Sequence, residues 1–176
     1  MDELRALAAL VSERNRVCET ISALIGRPAE IGHLGEYIAS PVFGIRLEQS
    51  AANKGHDGRF TDGPMAGRTV NIKWYTQREG SLDIHEMGGP DYYLALTGPK
   101  APAASSRGCS RPWRITAVYL FESKTLLAAQ QARGARLGTA ASVPAALWQR
   151  AQIYPECPSG VLTLSARQRE MLRLFA

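Results

Sequence analysis

Apolar residues recur at helical spacing through the first forty positions of the chain. The pattern predicts a helix over residues 2–25. Gly26-Arg27-Pro28 should end it, because glycine suits a helix C-terminus and proline cannot continue a helix. A second helix is predicted from about Ala29 to Val42, with one apolar face formed by Ile31, Leu34, Ile38 and Val42.

After Gly44 the helical spacing gives way to the alternation of strands. Short strands are predicted at Ile45–Glu48 and in the stretch ending at Phe60, and the turn-forming residues Thr61–Gly67 connect the latter to the next strand. That next strand, Arg68–Tyr75, alternates apolar Val70, Ile72 and Trp74 with polar neighbours. Two continuous apolar runs, typical of interior strands, follow at Tyr92–Thr97 and Ile115–Phe121.

Beyond Glu122 the pattern favours helices, at Leu126–Ala132, at Ala145–Ala151 and in a final amphipathic helix with Ser165 as its N-cap. The order of elements predicts an α/β fold with a central mixed sheet of four to five strands flanked by helices. We expect one domain over residues 1–176. It would comprise an N-terminal helix (1–28), a core (29–123) and a C-terminal helical extension (124–176).

Composition narrows the function classes. The 176 residues are 45% hydrophobic and 21% charged, which favours a folded core over disorder. No apolar run reaches the roughly 18–20 residues of a membrane span, and acidic Asp2 and Glu3 do not suit a signal peptide, so we expect a cytoplasmic protein with no membrane partner. The net charge of +5 is compatible with a polyanionic partner. Three widely spaced cysteines indicate neither a disulfide framework nor a structural zinc site.

Four polar residues stand out on predicted elements. Glu36 lies on the second helix, Asp57 opens a short strand, and Asn71 and Lys73 share one face of the strong strand that follows. Because the Thr61–Gly67 connection is short, the strands of Asp57 and Lys73 should be neighbours. Oxygen ligands with an adjacent lysine suit metal-assisted phosphodiester cleavage, in which the metal polarises phosphate and the ammonium stabilises developing charge.

This order of residues resembles the PD-(D/E)xK nuclease superfamily, which has the restriction-endonuclease-like fold. The resemblance covers roughly residues 31–121 and extends to uncharacterised bacterial members. It implies a Mg²⁺- or Mn²⁺-dependent endonuclease acting on DNA, with a restriction or defence role and a homodimer among the expectations. By the same resemblance the metal ligands are Glu36, Asp57, Asn71 and the carbonyl of Ile72, and Lys73 positions the attacking water.

Two departures from the superfamily pattern keep a second interpretation open. His56 stands where proline is usual, and Asn71 stands where an acid is usual, which removes one negative charge from the metal site. Glu48, on the predicted first strand, is a candidate for the missing carboxylate. The alternative is a non-catalytic, nuclease-like module that binds DNA or protein through a degenerate metal site, and a purely structural partner subunit is a third candidate.

Basic residues near the predicted site are candidates for phosphate contacts, namely Lys54, Arg59 and Arg78. The connection Pro99–Arg114 adds four cations and no acid, through Lys100, Arg107, Arg111 and Arg114. Scattered basic residues also commonly solvate strand ends and loops, so both readings remain at this point.

Overall fold

The computed structural model describes residues 1–49, 55–85, 89–101, 110–158 and 160–176. Within them the helices are α1 (Asp2–Ile25), α2 (Ile31–Phe43), a short 3₁₀ turn (Gly63–Met65), α3 (Ser123–Ala132), α4 (Ala145–Ala151) and α5 (Ala166–Arg173). The strands are β1 (Ile45–Leu47), β2 (Gly58–Phe60), β3 (Thr69–Tyr75), β4 (Ser81–Ile84), β5 (Tyr92–Thr97), β6 (Ala117–Glu122), β7 (Gly138–Ser142) and β8 (Gln152–Tyr154).

Six of these strands form one mixed sheet in the order β1-β2-β3-β5-β6-β8. The β3–β5 pair is parallel and the other four pairs are antiparallel. β4 and β7 form a separate antiparallel pair. The α/β class and the mixed sheet are thus confirmed.

The predicted strand number is wrong, because four to five strands were expected and the main sheet has six. β8 is the strand that the sequence pattern did not predict in this sheet, and its three residues are too few to show a period. β7 was missed because its Gly-Thr-Ala-Ala-Ser sequence lacks the branched and aromatic residues typical of strands.

Two apolar clusters cover the two faces of the main sheet. Gly35 of α2 packs against Trp74, and α2 and α5 contribute to the cluster that contains Val70, Ile72 and Trp74. The other cluster holds Tyr93 and joins β5 and β6 to α3, α4 and the β4–β7 pair. Alternate β3 residues therefore point into different layers.

Helix α1 has the predicted bounds but buries no residue. Leu4 is 66% exposed and Leu24 is 72% exposed, so its apolar side chains do not contribute to either core cluster. Gly26 ends the helix in the left-handed region, at φ 69°, as glycine readily does. At the other end of the chain, Ser165 caps α5 through a capping box with Gln168, as predicted for Ser165.

Candidate active site at the β2–β3 edge

Asp57 lies at the point where β2 and β3 begin to pair. Its backbone N–H donates to the carbonyl of Val70 over 2.9 Å, and its Oδ2 accepts a 2.6 Å hydrogen bond from the backbone N–H of Ile72. In a strand the N–H and C=O of one residue leave the backbone toward the same edge, so the Ile72 carbonyl faces the edge that Asp57 occupies. The aspartate is therefore fixed beside the middle of β3, as the sequence predicted.

Asn71 and Lys73 flank Ile72 on the opposite side of β3 from the α2 layer. Asn71 is only 4% exposed, and its buried Oδ1 has no hydrogen-bond partner within the part of the chain that the structure describes. An unpartnered buried acceptor costs free energy, on the order of 1–3 kcal/mol. Core packing alone does not account for an oxygen kept in this state, whereas a site that receives a cation or a donor does.

Glu36 approaches Asp57 from α2. Its Oε2 accepts a hydrogen bond from Nη1 of Arg27 at 2.5 Å, which makes a partly buried ion pair. The second terminal nitrogen of Arg27 donates to the backbone carbonyl of Glu48 at 3.0 Å. Arg27 therefore links the helix of Glu36 to the end of β1.

The side chain of Glu48 has two basic partners. Its Oε1 lies 3.3 Å from Nε2 of His56 and 3.7 Å from Nε of Arg59. The backbone N–H of Glu48 also donates to the Asp57 carbonyl over 2.9 Å, so the backbones of the two residues are paired. The Glu48 carboxylate could supply the acid that Asn71 lacks only if it left His56 and Arg59.

Burial raises the pKa of both central acids. The pKa of Glu36 is raised by desolvation first and by the nearby charge of Asp57 second, while Arg27 and His33 oppose the rise. Desolvation also raises the pKa of Asp57, against the hydrogen bond from Ile72 and the charges of Lys73, His56 and His85. A partly buried carboxylate that raises the pKa of a second one, with a lysine whose charge acts on the first, is characteristic of a functional cluster.

Asp57 is coupled electrostatically to both other charged residues predicted for the site. Its charge raises the pKa of Glu36, and the charge of Lys73 lowers the pKa of Asp57. α2 packs on β3, as expected, but the side chains of Asn71 and Lys73 point to the other face. The predicted residues therefore do not share a single face, and Asp57 lies where β2 begins to pair with β3.

The oxygen atoms present here are of the kind that Mg²⁺ and Mn²⁺ prefer, namely carboxylate, amide and backbone carbonyl. Within the described residues no three His, Cys, Asp or Glu side chains are grouped as metal ligands. A metal held at this edge therefore depends on the Asn71 amide and the Ile72 carbonyl in addition to the acids. The buried Asn71 oxygen, one residue before the Ile72 amide that Asp57 binds, fits that requirement.

The basic residues predicted for DNA contact have different positions. Arg59 lies on β2, half-exposed, and pairs with Glu48 next to the site. Arg78 follows β3 and its guanidinium lies over the rings of Tyr119 and Trp148, at 5.7 and 5.6 Å from their centroids. It is thus engaged in packing on the α4 side of the sheet. Lys54 lies outside the described residues.

The connection Pro99–Arg114 is described only at its ends, and Arg107 lies outside the described residues. Arg111 forms an ion pair with Glu79 at 3.2 Å. Lys100 is exposed, and its backbone forms an isolated parallel β-bridge with that of Arg78. Phosphate binding by this connection stays a prediction.

Sequence reasoning missed two members of the cluster. Arg27 was interpreted as part of a helix stop, and His85 was given no role. The backbone N–H of His85 donates to the hydroxyl of Tyr93 at 2.9 Å, its ring stacks on that tyrosine, and it contributes positive charge toward Asp57. The sequence signal available for Arg27 was its position as a basic residue between a helix-ending glycine and a proline. His85 had no comparable sequence signal.

No protein-family model matches the chain, and a search of curated proteins found no similar sequence. The resemblance of residues 31–121 to PD-(D/E)xK nucleases therefore stays a prediction from the sequence motif. No helix in the described ranges combines the length and the apolar character that crossing a membrane requires.

Proposed function

We propose that this chain is a metal-dependent DNA nuclease of the PD-(D/E)xK type, with its active site at the β2–β3 edge. The observation that carries the proposal is the hydrogen bond of the Asp57 carboxylate to the Ile72 amide. Ile72 lies between Asn71, whose buried oxygen has no hydrogen-bond partner among the described residues, and Lys73, whose charge lowers the pKa of Asp57. A cytoplasmic location, a homodimer and a restriction or defence role stay predictions that accompany this proposal.

Each residue has a role that follows from its position. Asp57, Glu36, the Asn71 side chain and the Ile72 carbonyl would hold Mg²⁺ or Mn²⁺. Bound there, the metal would polarise a phosphate and lower the pKa of a water molecule. Lys73 carries a positive charge toward Asp57 and would orient the attacking water or stabilise charge on the phosphate. Burial of Asp57 and Asn71 keeps these groups in a medium where charges interact strongly.

DNA is proposed as the substrate because the site is bordered by cations that are open to solvent. Arg59 is half-exposed on β2, and Arg68, which precedes β3, is also half-exposed. Side chains of this kind neutralise phosphates and give binding that weakens with salt. Arg78, with its guanidinium over Tyr119 and Trp148, is left out of this surface.

A cleavage assay on plasmid and single-stranded DNA with Mg²⁺ or Mn²⁺ tests the proposal. Asp57→Asn keeps an acceptor for the Ile72 amide but removes the charge, and Lys73→Met removes the ammonium. Each should lower cleavage by roughly 100-fold or more, since one positioned electrostatic or acid–base group typically contributes that much. Lys124→Met, which removes an exposed lysine at the start of α3, is the matched control and should cleave as the wild type does.

Cleavage that is equal in all four proteins would come from a contaminant and would reject the assignment. Absence of cleavage by the wild type under both metals would reject catalysis as well.

A second candidate is a nuclease-like module that binds DNA or protein without cutting. Two observations favour it: Asn71 removes one charge from the ligand set, and Arg27 neutralises Glu36. It predicts salt-dependent DNA binding by a wild type that neither cleaves DNA nor binds Mn²⁺ at the Asp57 edge. Loss of binding at low salt would leave only the structural-subunit interpretation.

A further inference from the structure

Arg27 lies where the exposed N-terminal helix joins the body of the protein. It follows Gly26, which ends α1, and it precedes Pro28. Its side chain is 28% exposed, so solvent reaches the side chain even while its guanidinium contacts Glu36 and the Glu48 carbonyl. Arg27 is therefore a cation at the rim of the candidate site, accessible to an incoming anion.

Arg27 is paired with Glu36, one of the two acids on which metal binding at this site would depend. Asn71 contributes no charge, and the Glu48 carboxylate is engaged by His56 and Arg59. Asp57 and Glu36 are then the two acids left to bind a divalent cation, and Glu36 is neutralised by Arg27. A cation paired with a ligand both occupies that ligand and repels the metal.

A DNA phosphate is a suitable alternative partner for Arg27. The planar guanidinium fork binds phosphate oxygens as well as it binds a carboxylate, often through two parallel hydrogen bonds. When one cation has two competing anionic partners, binding of the second anion frees the first.

We propose that Arg27 is an exchange residue, which leaves Glu36 for a phosphate of the bound nucleic acid and thereby makes Glu36 available to the metal. This inference rests on the proposed function, because it assumes that the Asp57 edge binds a metal. It makes Arg27 a positioning residue that couples two binding events. In the free protein the Arg27–Glu36 pair holds metal affinity low, and on the nucleic acid the affinity rises.

Thermodynamic linkage makes the coupling reciprocal. If DNA tightens metal binding through Arg27, the metal must tighten DNA binding by the same factor. Loss of a partly buried ion pair changes an equilibrium by roughly five- to tenfold, which sets the size of the expected coupling.

The test is Mn²⁺ affinity, measured calorimetrically with and without a duplex whose phosphorothioate linkages resist cleavage. Arg27→Met removes the cation and should tighten Mn²⁺ binding by the free protein roughly five- to tenfold. The duplex should tighten binding to the wild type by a similar factor and should add little in Arg27→Met. Arg27→Lys keeps the charge and should keep the low Mn²⁺ affinity of the free protein, while the duplex should tighten Mn²⁺ binding less than in the wild type, because an ammonium lacks the guanidinium fork. Arg5→Met removes a positive charge from exposed α1 and should change neither affinity.

Each outcome bears on one proposal or on both. If Mn²⁺ binds in a manner abolished by Asp57→Asn, while Arg27→Met leaves both the affinity and the effect of the duplex unchanged, the exchange is rejected and the proposed metal site stands. If Arg27→Met weakens Mn²⁺ binding, the arginine supports the site and does not compete for Glu36, which also rejects the exchange. If neither the wild type nor Arg27→Met binds Mn²⁺, with circular dichroism showing both folded, the exchange and the proposed function both fail.

Discussion

The two faces of β3 carry side chains of opposite character, apolar on one face and polar on the other. On one face Val70, Ile72 and Trp74 are buried beneath α2 in a continuous apolar cluster. On the other face Asn71 is just as buried, yet its side-chain oxygen has no hydrogen-bond partner among the described residues, and the charge of Lys73 lowers the pKa of Asp57. The first face has the composition expected of a stable core, whereas the second keeps polar groups that make the fold less stable than it would otherwise be.

The difference indicates where function has constrained this chain. An apolar residue at position 71 would satisfy packing, since buried polar groups are costly unless paired. Polar groups held unpaired at one edge are a common feature of sites that await a ligand. The contrast can be tested by substitutions on each face.

The largest expected effect is on the apolar face. Trp74→Ala should lower the free energy of unfolding by about 4 kcal/mol, because it leaves a cavity between β3 and α2. Lys73→Ala, on the other face, should change it by no more than about 0.5 kcal/mol. Urea denaturation of both variants measures the difference. Similar losses for the two would mean that the polar face carries as much of the fold's stability as the apolar one.

Restoring an acid on the polar face should cost stability and add metal affinity. Asn71→Asp places a carboxylate at a buried position, one residue before the Ile72 amide that Asp57 binds, and we expect a loss of about 2 kcal/mol without metal. Mn²⁺ should restore much of that loss, because it binds the folded state preferentially. Asn71→Ala, which removes the amide oxygen without adding charge, is the control and should show no stabilisation by Mn²⁺ beyond the wild type. A metal-insensitive Asn71→Asp variant would remove position 71 from the metal site.

Neutralising Asp57 should change how the stability of the folded protein depends on pH. Because burial raises the pKa of Asp57 in the folded state, the folded protein holds this proton more tightly than the unfolded chain does. The group's effect on stability is therefore neutral below its ordinary titration range and becomes destabilising as pH rises through the raised pKa. Asp57→Asn should be more stable than the wild type by about 1 kcal/mol at pH 8, with the gap closing toward pH 4. Thermal melts at several pH values measure the gap, and a gap that widens on acidification would contradict this sign.

The smallest expected effect distinguishes Arg59 from Arg78 in DNA binding. Arg59→Ala should weaken duplex binding a few-fold and lower the slope of log affinity against log salt by about one, as loss of one phosphate contact does. Arg78→Ala should leave the salt slope unchanged, because the guanidinium packs over Tyr119 and Trp148. Binding isotherms at several salt concentrations distinguish them. A slope lowered by Arg78→Ala alone would move the nucleic-acid surface to the α4 side of the sheet.

Elements with strong local patterns were predictable from the sequence. The apolar run Tyr92–Thr97 and the helix Ala145–Ala151 have the predicted bounds, and β3 begins one residue later than predicted. β4, β7 and β8 were missed because each is short and gains its partners from distant parts of the chain. Their pairing depends on tertiary contacts that no local period reveals.

The same distinction, between what local patterns predict and what depends on tertiary contacts, applies to the candidate site. The short connection Thr61–Gly67 was enough to predict that Asp57 and Lys73 lie on neighbouring strands. The contacts of Arg27 could not be predicted, since they join positions nine and twenty-one residues apart and depend on how α2 meets β1. Strand alternation places Ile72 in the core beneath α2, so Asn71 and Lys73 lie on the opposite face of β3.

A crystal of the protein soaked with Mn²⁺ tests the central claim most directly, through the anomalous scattering of the metal. We expect one strong peak at the β2–β3 edge, within coordination distance of the Asp57 carboxylate and the Asn71 Oδ1, and absent from Asp57→Asn crystals grown in the same way. A map with no peak at that edge, or with Mn²⁺ bound only elsewhere on the molecule, would contradict the proposed metal site.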